Sequence, residues 1–450
     1  MKFTNVILAA GKGTRMKSDI PKVLHPLLGY PMLWYSLKTA RELSDEPPVV
    51  VVGHQAEAVM SAVGDERVRF ALQDPQLGTG DALNKARQLI PPDTDTIIVT
   101  YGDMPLLRSE TLARLLDAHA SNKGPMTIMT VVMDDPHGFG RIVRDGGGRV
   151  LAIVEEAHAT PEQKAIRELN TGIYAIDAGW AWDHLPKLPL SPKGEYYLTD
   201  LVEMAVSEGL PVESIEVEDP DEVVGINTRV HLAQAESILR NRINTAWMLE
   251  GVTIVDPDTT YIEPEVSIGR DSVIHPNTYL KGRTSIGENS IIGPNTLISD
   301  SSIGSRCEVR FSVIEGAIIE DDVDVGPFAH LRKGAHLAKG VHMGNFGEVK
   351  NSYLGPGTKM GHFSYIGDAR IGRNVNIGAG TITCNYDGEK KNPTYIEDDV
   401  FIGSDTMLVA PVKIGRGSKT GAGSVVTKDI PPSSLAYGVP ARVKKSLEEK

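Results

Sequence analysis

From Ile262 onward an aliphatic residue stands at every sixth position: Ile262, Ile268, Ile274, Leu280, Ile286, Ile292 and Ile298. The spacing resumes as Ile319, Val325, Leu331, Leu337, Met343 and Val349, and again as Ile396, Ile402, Leu408 and Ile414, with slips of one residue between runs. Glycine often follows the aliphatic, as in Ile268-Gly269, Ile286-Gly287 and Ile402-Gly403. A helix repeats every 3.6 residues and a lone strand every 2, so a period of six fits neither. It fits a coil of short strands and tight turns, in which each hexad forms one side of a prism, the aliphatic points to the axis and glycine permits the turn. With three sides per coil, residues about eighteen apart become neighbours at roughly 4.8 Å, the spacing of paired strands. A β-sandwich, the competing use of many short strands, would alternate at 2 with strands of uneven length.

The ladder fills residues 251–450, and the whole chain of 450 residues is longer than one ordinary core, so two or three domains are expected. A net charge of −13 excludes a general nucleic-acid binder, which leaves any handling of polyanions to local sites. Cys307 and Cys384 are too few for a disulfide framework and suit a reducing cytosol. No apolar run reaches the length that crosses a bilayer. The short apolar start, Met1 to Ala10, is interrupted early by Gly11-Lys12-Gly13-Thr14-Arg15, which reads as a buried first strand and not as a signal peptide. A cytoplasmic protein with no membrane partner is expected.

Before the ladder, strand-like runs (Val6 to Ala10, Val49 to Val52, Ile97 to Thr100, Thr127 to Val132) alternate with helix-like segments (Met32 to Leu43, Asp81 to Leu89, Ser109 to His119). That alternation predicts a mostly parallel α/β sheet flanked by helices, with ligands gathered at the carboxyl ends of its strands. Arg229 to Glu250 has no proline or glycine and spaces Leu232, Ala235, Leu239, Ile243 and Trp247 along one helical face. The expected organisation is therefore an α/β domain over 1–229, a helical linker over 230–250, about 30 Å long, and a β-helix over 251–450.

The first strand runs into Leu8-Ala9-Ala10-Gly11-Lys12-Gly13-Thr14-Arg15-Met16, with Pro21-Lys22 close behind. Small residues let a backbone approach phosphate, and Lys12, Arg15 and Lys22 supply charge. The loop is neither a Walker sequence nor a dinucleotide fingerprint, because Met16 stands where a third glycine is needed. Together these residues resemble the signature of sugar-1-phosphate nucleotidylyltransferases, and Gln73 with Gln76-Leu77-Gly78-Thr79-Gly80 resembles the uracil-reading loop of their uridylyl branch. Thr79 reads equally as a helix cap. Tyr101-Gly102-Asp103 puts a carboxylate at a strand end, where a turn or cap is the plain alternative. The resemblance implies that Asp103 and Asn227 hold magnesium, that Lys22 and Arg15 are catalytic, and that Gly140, Glu155 and Asn170 bind the sugar.

The ladder is similar to that of the hexapeptide-repeat acyltransferases, which implies a left-handed helix. Counting along it places Arg332, Lys350 and Tyr365 on one face in successive coils. Two cations so close, with no compensating charge in view, point to an anion. His362 is the natural general base, since histidine is the side chain suited to taking a proton near neutral pH. His330, His336 and His342 fall on three different faces and cannot form one metal site. Asn376 lies on a different face from Arg332, which predicts a site shared between subunits.

Taken over nearly the whole chain, these features resemble the bacterial bifunctional enzymes that make UDP-N-acetylglucosamine for peptidoglycan and lipopolysaccharide synthesis. The resemblance implies acetyl-CoA and UTP as co-substrates and a homotrimer formed through the β-helix. It further implies that Arg332, Lys350, Tyr365 and Asn376 hold the amino-sugar phosphate, and that Ala379, Asn385, Tyr386, Ser404 and Ala422 hold acetyl-CoA. Gly438 stands where some members of that family carry a coenzyme A-binding arginine, leaving Arg442, Lys444 or Lys445 to supply the charge. A sugar-1-phosphate nucleotidylyltransferase whose ladder is only a trimerising scaffold, and a non-enzymatic regulatory subunit of the same two folds, are the alternatives.

Overall fold

The computed structural model describes residues 1–64, 67–134, 136 and 138–447. They divide into two compact units, Met1–Leu239 and Arg240–Lys450.

In the first unit one sheet runs, edge to edge, through Val212–Glu216, Met126–Val132, Glu168–Asp177, Thr96–Tyr101, Phe3–Leu8, Val49–Val52 and Arg69–Leu72. Phe3–Leu8 is central and pairs in parallel with both Val49–Val52 and Thr96–Tyr101. Being covered on both sides, it carries no polar alternation: Val6 and Leu8 pack with Ala82 and Leu83 on one side, Ile7 with Leu33 and Val59 on the other. Glu168–Asp177 is antiparallel to both its neighbours and interrupts the parallel pattern. The strand expected to reach Ala10 stops at Leu8, but its register carries on. Ala9 N–H donates to Val51 O at 2.8 Å, and Ala10 O accepts from His54 N–H at 3.3 Å. Helix Met32–Leu43 lies where the periodicity puts it. The helix expected over Asp81 to Leu89 instead starts at Thr79 and ends at Ala86, followed by a 3-10 turn, Arg87–Leu89. Thr79 is not its cap; the cap position is Gly78.

The second unit is a three-sided parallel β-helix. Among the described residues its faces are sheets of twelve, ten and nine short strands, which begin at Thr253–Ile254, Tyr261–Ile262 and Ser267–Ile268. The ladder residues form its core; Ile262, Leu280, Ile298, Ile314 and Leu331 stack along the second face, each 0% exposed. The eighteen-residue rule needs correction. Inward partners are separated by 18 residues at Leu331 and Val349, 17 at Ile286 and Ile303, and 16 at Ile298 and Ile314. Across the loop after Cys384 the separation between Ile371 and Ile396 is 25. Strands keep register while corners gain or lose residues, because only the strands carry the ladder hydrogen bonds. At some corners glycine is required: a Cβ on Gly287 would lie 2.6 Å from the carbonyl carbon of Gly304 in the next coil.

Removing three carbons from Ile314 leaves a void that the rigid coils above and below cannot close. Ile314→Ala is expected to cost about 2–5 kcal/mol, read as a lower denaturant midpoint for the β-helix transition.

His330, His336 and His342 lie on the second, third and first faces. Each is bonded to a carboxylate, of Glu315, Glu320 and Asp324 respectively. Among the described residues no group of three or more histidine, cysteine or acidic side chains could hold a metal ion, and no helix is long and apolar enough to cross a membrane. Helix Arg229–Leu249 sends Leu232, Ala235 and Leu239 into a cluster of the first unit, while Ile243 and Trp247 pack on the β-helix core. Asn244 seals the first coil, donating to the carbonyls of Pro257 and Thr260 at 2.9 and 3.0 Å.

Candidate functional site

The carboxyl ends of the central strands open into a cavity of about 500 Å³ lined by Leu8, Ala9, Ala10, Gly11, Lys12, Lys22, Gln73, Gly78, Thr79, Tyr101 and Asp103. Its polar centre is a cluster of two oxygens and two cations. Lys22 Nζ forms an ion pair with Asp103 and donates to Asn227 Oδ1 at 3.0 Å, and Arg15 Nη2 donates to the same Asn227 oxygen at 2.9 Å. Asp103 lies in the turn that follows the strand, and its side chain is given to Lys22. Gly102 keeps the floor close: a Cβ there would lie 3.2 Å from Val23 and from Leu33 and 3.3 Å from Ala9.

The loop expected to read a base is held from beneath by Gln73, whose amide donates to Gly78 O at 2.9 Å and to Asp81 Oδ2 at 2.8 Å. Both donors are spent on the scaffold, and Gln76 lines the cavity beside it. Gly78 has φ +96°, and a Cβ there would lie 2.6 Å from Tyr196 O and 2.9 Å from Tyr196 N. Such strain together with a backbone clash is worth a few kcal/mol. Gly78→Ala is expected to slow nucleotidyl transfer by about tenfold or more, measured as pyrophosphate release, with acetyl transfer unchanged.

A second cavity of about 400 Å³ shares Thr79, Tyr101, Glu195 and Tyr197 with the first, so the two form one trough. Glu155 and Asn170 line it. Burial raises the Glu155 carboxyl above its ordinary range, and burial with Glu203 and Glu155 nearby pushes Asp200 up to about 6. Asn170 Nδ2 donates to the Tyr174 hydroxyl at 2.8 Å, which fixes its amide. Gly140 does not line the trough; it sits opposite Asn170 on the neighbouring strand.

On the second face of the β-helix, Arg332, Lys350 and Tyr365 occupy three successive coils, as the counting places them. The cations are not uncompensated, which corrects the expectation: Arg332 Nη1 donates to Glu348 Oε1 at 2.9 Å, from the coil above. Lys391, from the loop after Cys384, comes against Lys350, and that contact lowers its pKa. Burial opposes ionisation of Asp368, but hydrogen bonds from Asn351 (2.6 Å) and Asn385 (2.5 Å), with Lys350 and Lys391 close by, hold it below the ordinary carboxylate range. Tyr365 and Asn385 both lean over Gly367, where an added Cβ would lie within 3 Å of each.

His362 is exposed at the corner between the first face and the strand that carries Tyr365. The corners above it carry Ala379, Ser404 and Ala422, each two residues after the inward position of its own coil. The column is bonded corner to corner: Gly380 N–H to Phe363 O at 2.7 Å, Asp405 N–H to Ala379 O at 2.6 Å, and Gly423 N–H to Ser404 O at 2.8 Å. Asn376 stands on the first face, apart from Arg332. Tyr386 is 61% exposed on the loop. Near Gly438, Arg442 bonds to Ala441 O of its own strand and Lys444 lies 5.7 Å from the Tyr437 ring centre, while Lys445 pairs across from Leu435.

Residues 5–169 match the model of the MobA-like NTP transferase domain, and residues 265–300 and 393–428 match that of the bacterial transferase hexapeptide (six repeats). The chain is 48% identical over 436 residues to the bifunctional protein GlmU of Pelobacter propionicus, covering 96% of this chain and 94% of that protein. To the protein of the same name in Syntrophotalea carbinolica it is 50% identical over 433 residues, covering 96% and 93%. For that of Trichlorobacter lovleyi the identity is 47% over 444 residues, covering 98% and 96%. The chain belongs to the GlmU family. It is therefore a bifunctional transferase of UDP-N-acetylglucosamine synthesis, with a nucleotidyltransferase in its first half and a hexapeptide-repeat acetyltransferase in its second.

Several trough residues escape sequence reasoning. Lys193, Glu195, Tyr197 and Thr199 line the trough, yet their segment has no periodicity of its own. It is fixed by distant pairing: Tyr196 N–H donates to Leu77 O and Gly80 N–H to Tyr196 O, both at 2.8 Å, and Leu198 N–H donates to Thr79 Oγ1 at 3.0 Å. The only signal in the sequence is the run Glu195-Tyr196-Tyr197 beside a glycine, and it is weak.

Proposed function

We propose that the two GlmU activities are divided between a 1–229 domain and a 251–450 domain, joined through helix 230–250, with the residues above in the following roles. In the first, the phosphate of N-acetylglucosamine 1-phosphate attacks the α-phosphorus of UTP in line, the α–β bridging bond breaks and pyrophosphate leaves. The trough supports this reading because its two lobes are continuous: Gln76, Gly78 and Thr79 suit the base, and Glu155 and Asn170 suit the sugar. Lys22 and Arg15 offset the charge that builds on the phosphates. The oxygens of Asp103 and Asn227 reach one and the same ammonium group, so they are spaced to share a cation. One carboxylate and one amide oxygen suit Mg²⁺ completed by phosphate oxygens and water. Asp103 and Asn227 would hold it, and bound there it would supply positive charge against the triphosphate.

In the second domain Arg332, Lys350 and Lys391 hold the phosphate of glucosamine 1-phosphate. His362 takes a proton from the amine as its nitrogen attacks the thioester carbonyl of acetyl-CoA; the C–S bond breaks and coenzyme A leaves as the thiol. The column Ala379, Ser404 and Ala422, with Asn385 and Tyr386 beside it, seats the coenzyme. Asn376, on another face, serves a site completed by a second copy, so the working form is a homotrimer. Both reactions take place in the cytoplasm, where free Cys307 and Cys384 are at home.

The observation that carries the acetyltransferase assignment is the meeting of Arg332, Lys350 and Lys391 on the face that His362 adjoins. Mixing the purified protein with acetyl-CoA and glucosamine 1-phosphate tests it. Free thiol should appear; none, with pyrophosphate release intact, would reduce the β-helix to a scaffold.

A further inference from the structure

Lys22 does more in this structure than wait for a phosphate. Its ammonium group lies between Asp103 and Asn227, and Arg15 takes a second position on the Asn227 oxygen. The Lys22 and Asp103 side chains are only 13% and 17% exposed, so this is a sheltered pair and not a surface contact. Opposite charges at contact in such a setting are held far more firmly than on an open surface. The two oxygens assigned above to a divalent cation are thus already occupied by the protein's own cations. Around them stand Lys12, Lys22 and Arg15 against Asp103 and Glu195. A divalent ion arriving alone would add two positive charges to a site that already has an excess of them. A nucleoside triphosphate reverses that balance, and its phosphates offer Lys22 and Arg15 better partners than a single carboxylate and an amide.

We propose that Lys22 is a resident counter-cation that keeps Asp103 and Asn227 closed to the metal until a nucleoside triphosphate draws it away, so that nucleotide and metal load together. The proposal rests on the reading of Asp103 and Asn227 as metal ligands. It makes Lys22 a gate on metal entry as well as a phosphate contact. Its consequence is that the site does not charge with metal in the absence of nucleotide, when bound metal would serve no reaction.

Mn²⁺ binding to the full-length protein with and without α,β-methylene-UTP tests this, followed by loss of the free-ion electron paramagnetic resonance signal and corrected for the Mn²⁺ that the analogue alone takes up in a protein-free titration. The wild type is expected to bind Mn²⁺ at least tenfold more tightly with the nucleotide analogue than without it. Lys22→Met is expected to tighten binding without nucleotide at least tenfold. Lys12→Met is the control for overall charge, since Lys12 lines the cavity and is bonded to neither oxygen; it should tighten binding much less. Equal affinity of the wild type with and without nucleotide, no gain in Lys22→Met, or an equal gain in Lys12→Met would each overturn the gate. Asp103→Asn separates the two levels. If it abolishes Mn²⁺ binding in the presence of the analogue while Lys22→Met gains nothing, the ligand assignment stands and the gate falls. If it leaves that binding intact, both fall. An unchanged unfolding midpoint of the nucleotidyltransferase half certifies that every variant is folded.

Discussion

His362→Ala is expected to lower acetyl transfer by about 10²–10⁴-fold, the usual contribution of a positioned general base, and to leave pyrophosphate release from UTP unchanged. The imidazole sits exposed on a corner, outside the stacked aliphatic core, so its removal leaves no cavity and no buried polar group without a partner. The loss should therefore fall on kcat for thiol release and not on the thermal midpoint. Raising the pH should recover part of the rate, because a larger fraction of the amino sugar is then already deprotonated and needs no base. A variant that retained more than a tenth of the wild-type rate at neutral pH would remove His362 from the role of base.

Asp103→Ala is expected to have the opposite selectivity: uridylyl transfer falls by about 10²–10³-fold or more and acetyl transfer is spared. The carboxylate is lost as a cation ligand, and with it the positive charge that the cation would set against the triphosphate. Pyrophosphate release and thiol release measured on the same preparation give both answers at once. Loss of both activities from a folded protein would contradict independent sites.

The β-helix was legible because its signal is periodic and needs no knowledge of distant partners. Each hexad repeats the same physical demand, an aliphatic inward and a small residue at the bend, and Ile262 to Ile298 satisfy it without a break. The row of Arg332, Lys350 and Tyr365 followed from the same counting. The place of Asp103 at the end of a strand was legible from the apolar run before it, while its role follows only from the family resemblance. What stayed hidden depends on side chains that reach across the fold. Glu348 precedes rung Val349 and is an ordinary outward residue by spacing, yet it takes Arg332 as a partner. Lys391 comes to Lys350 from a loop whose path no local pattern gives. Gln73 lines the cavity expected to take the base, but its donors are drawn down to Gly78 and Asp81, a choice made by packing. The segment with Glu195 and Tyr197 becomes part of the trough only by pairing with a loop more than a hundred residues earlier in the chain.

The coils close after 16, 17, 18 or 25 residues without losing register. The strands are a ruler with fixed divisions, and the corners are slack rope tied between the marks. A change in length at a corner is therefore confined to that corner, and side chains one coil above or below keep their distances. A loop such as 385–393 can then be lengthened, shortened or exchanged as a separate part, while the neighbouring rows of charge remain where the ruler holds them.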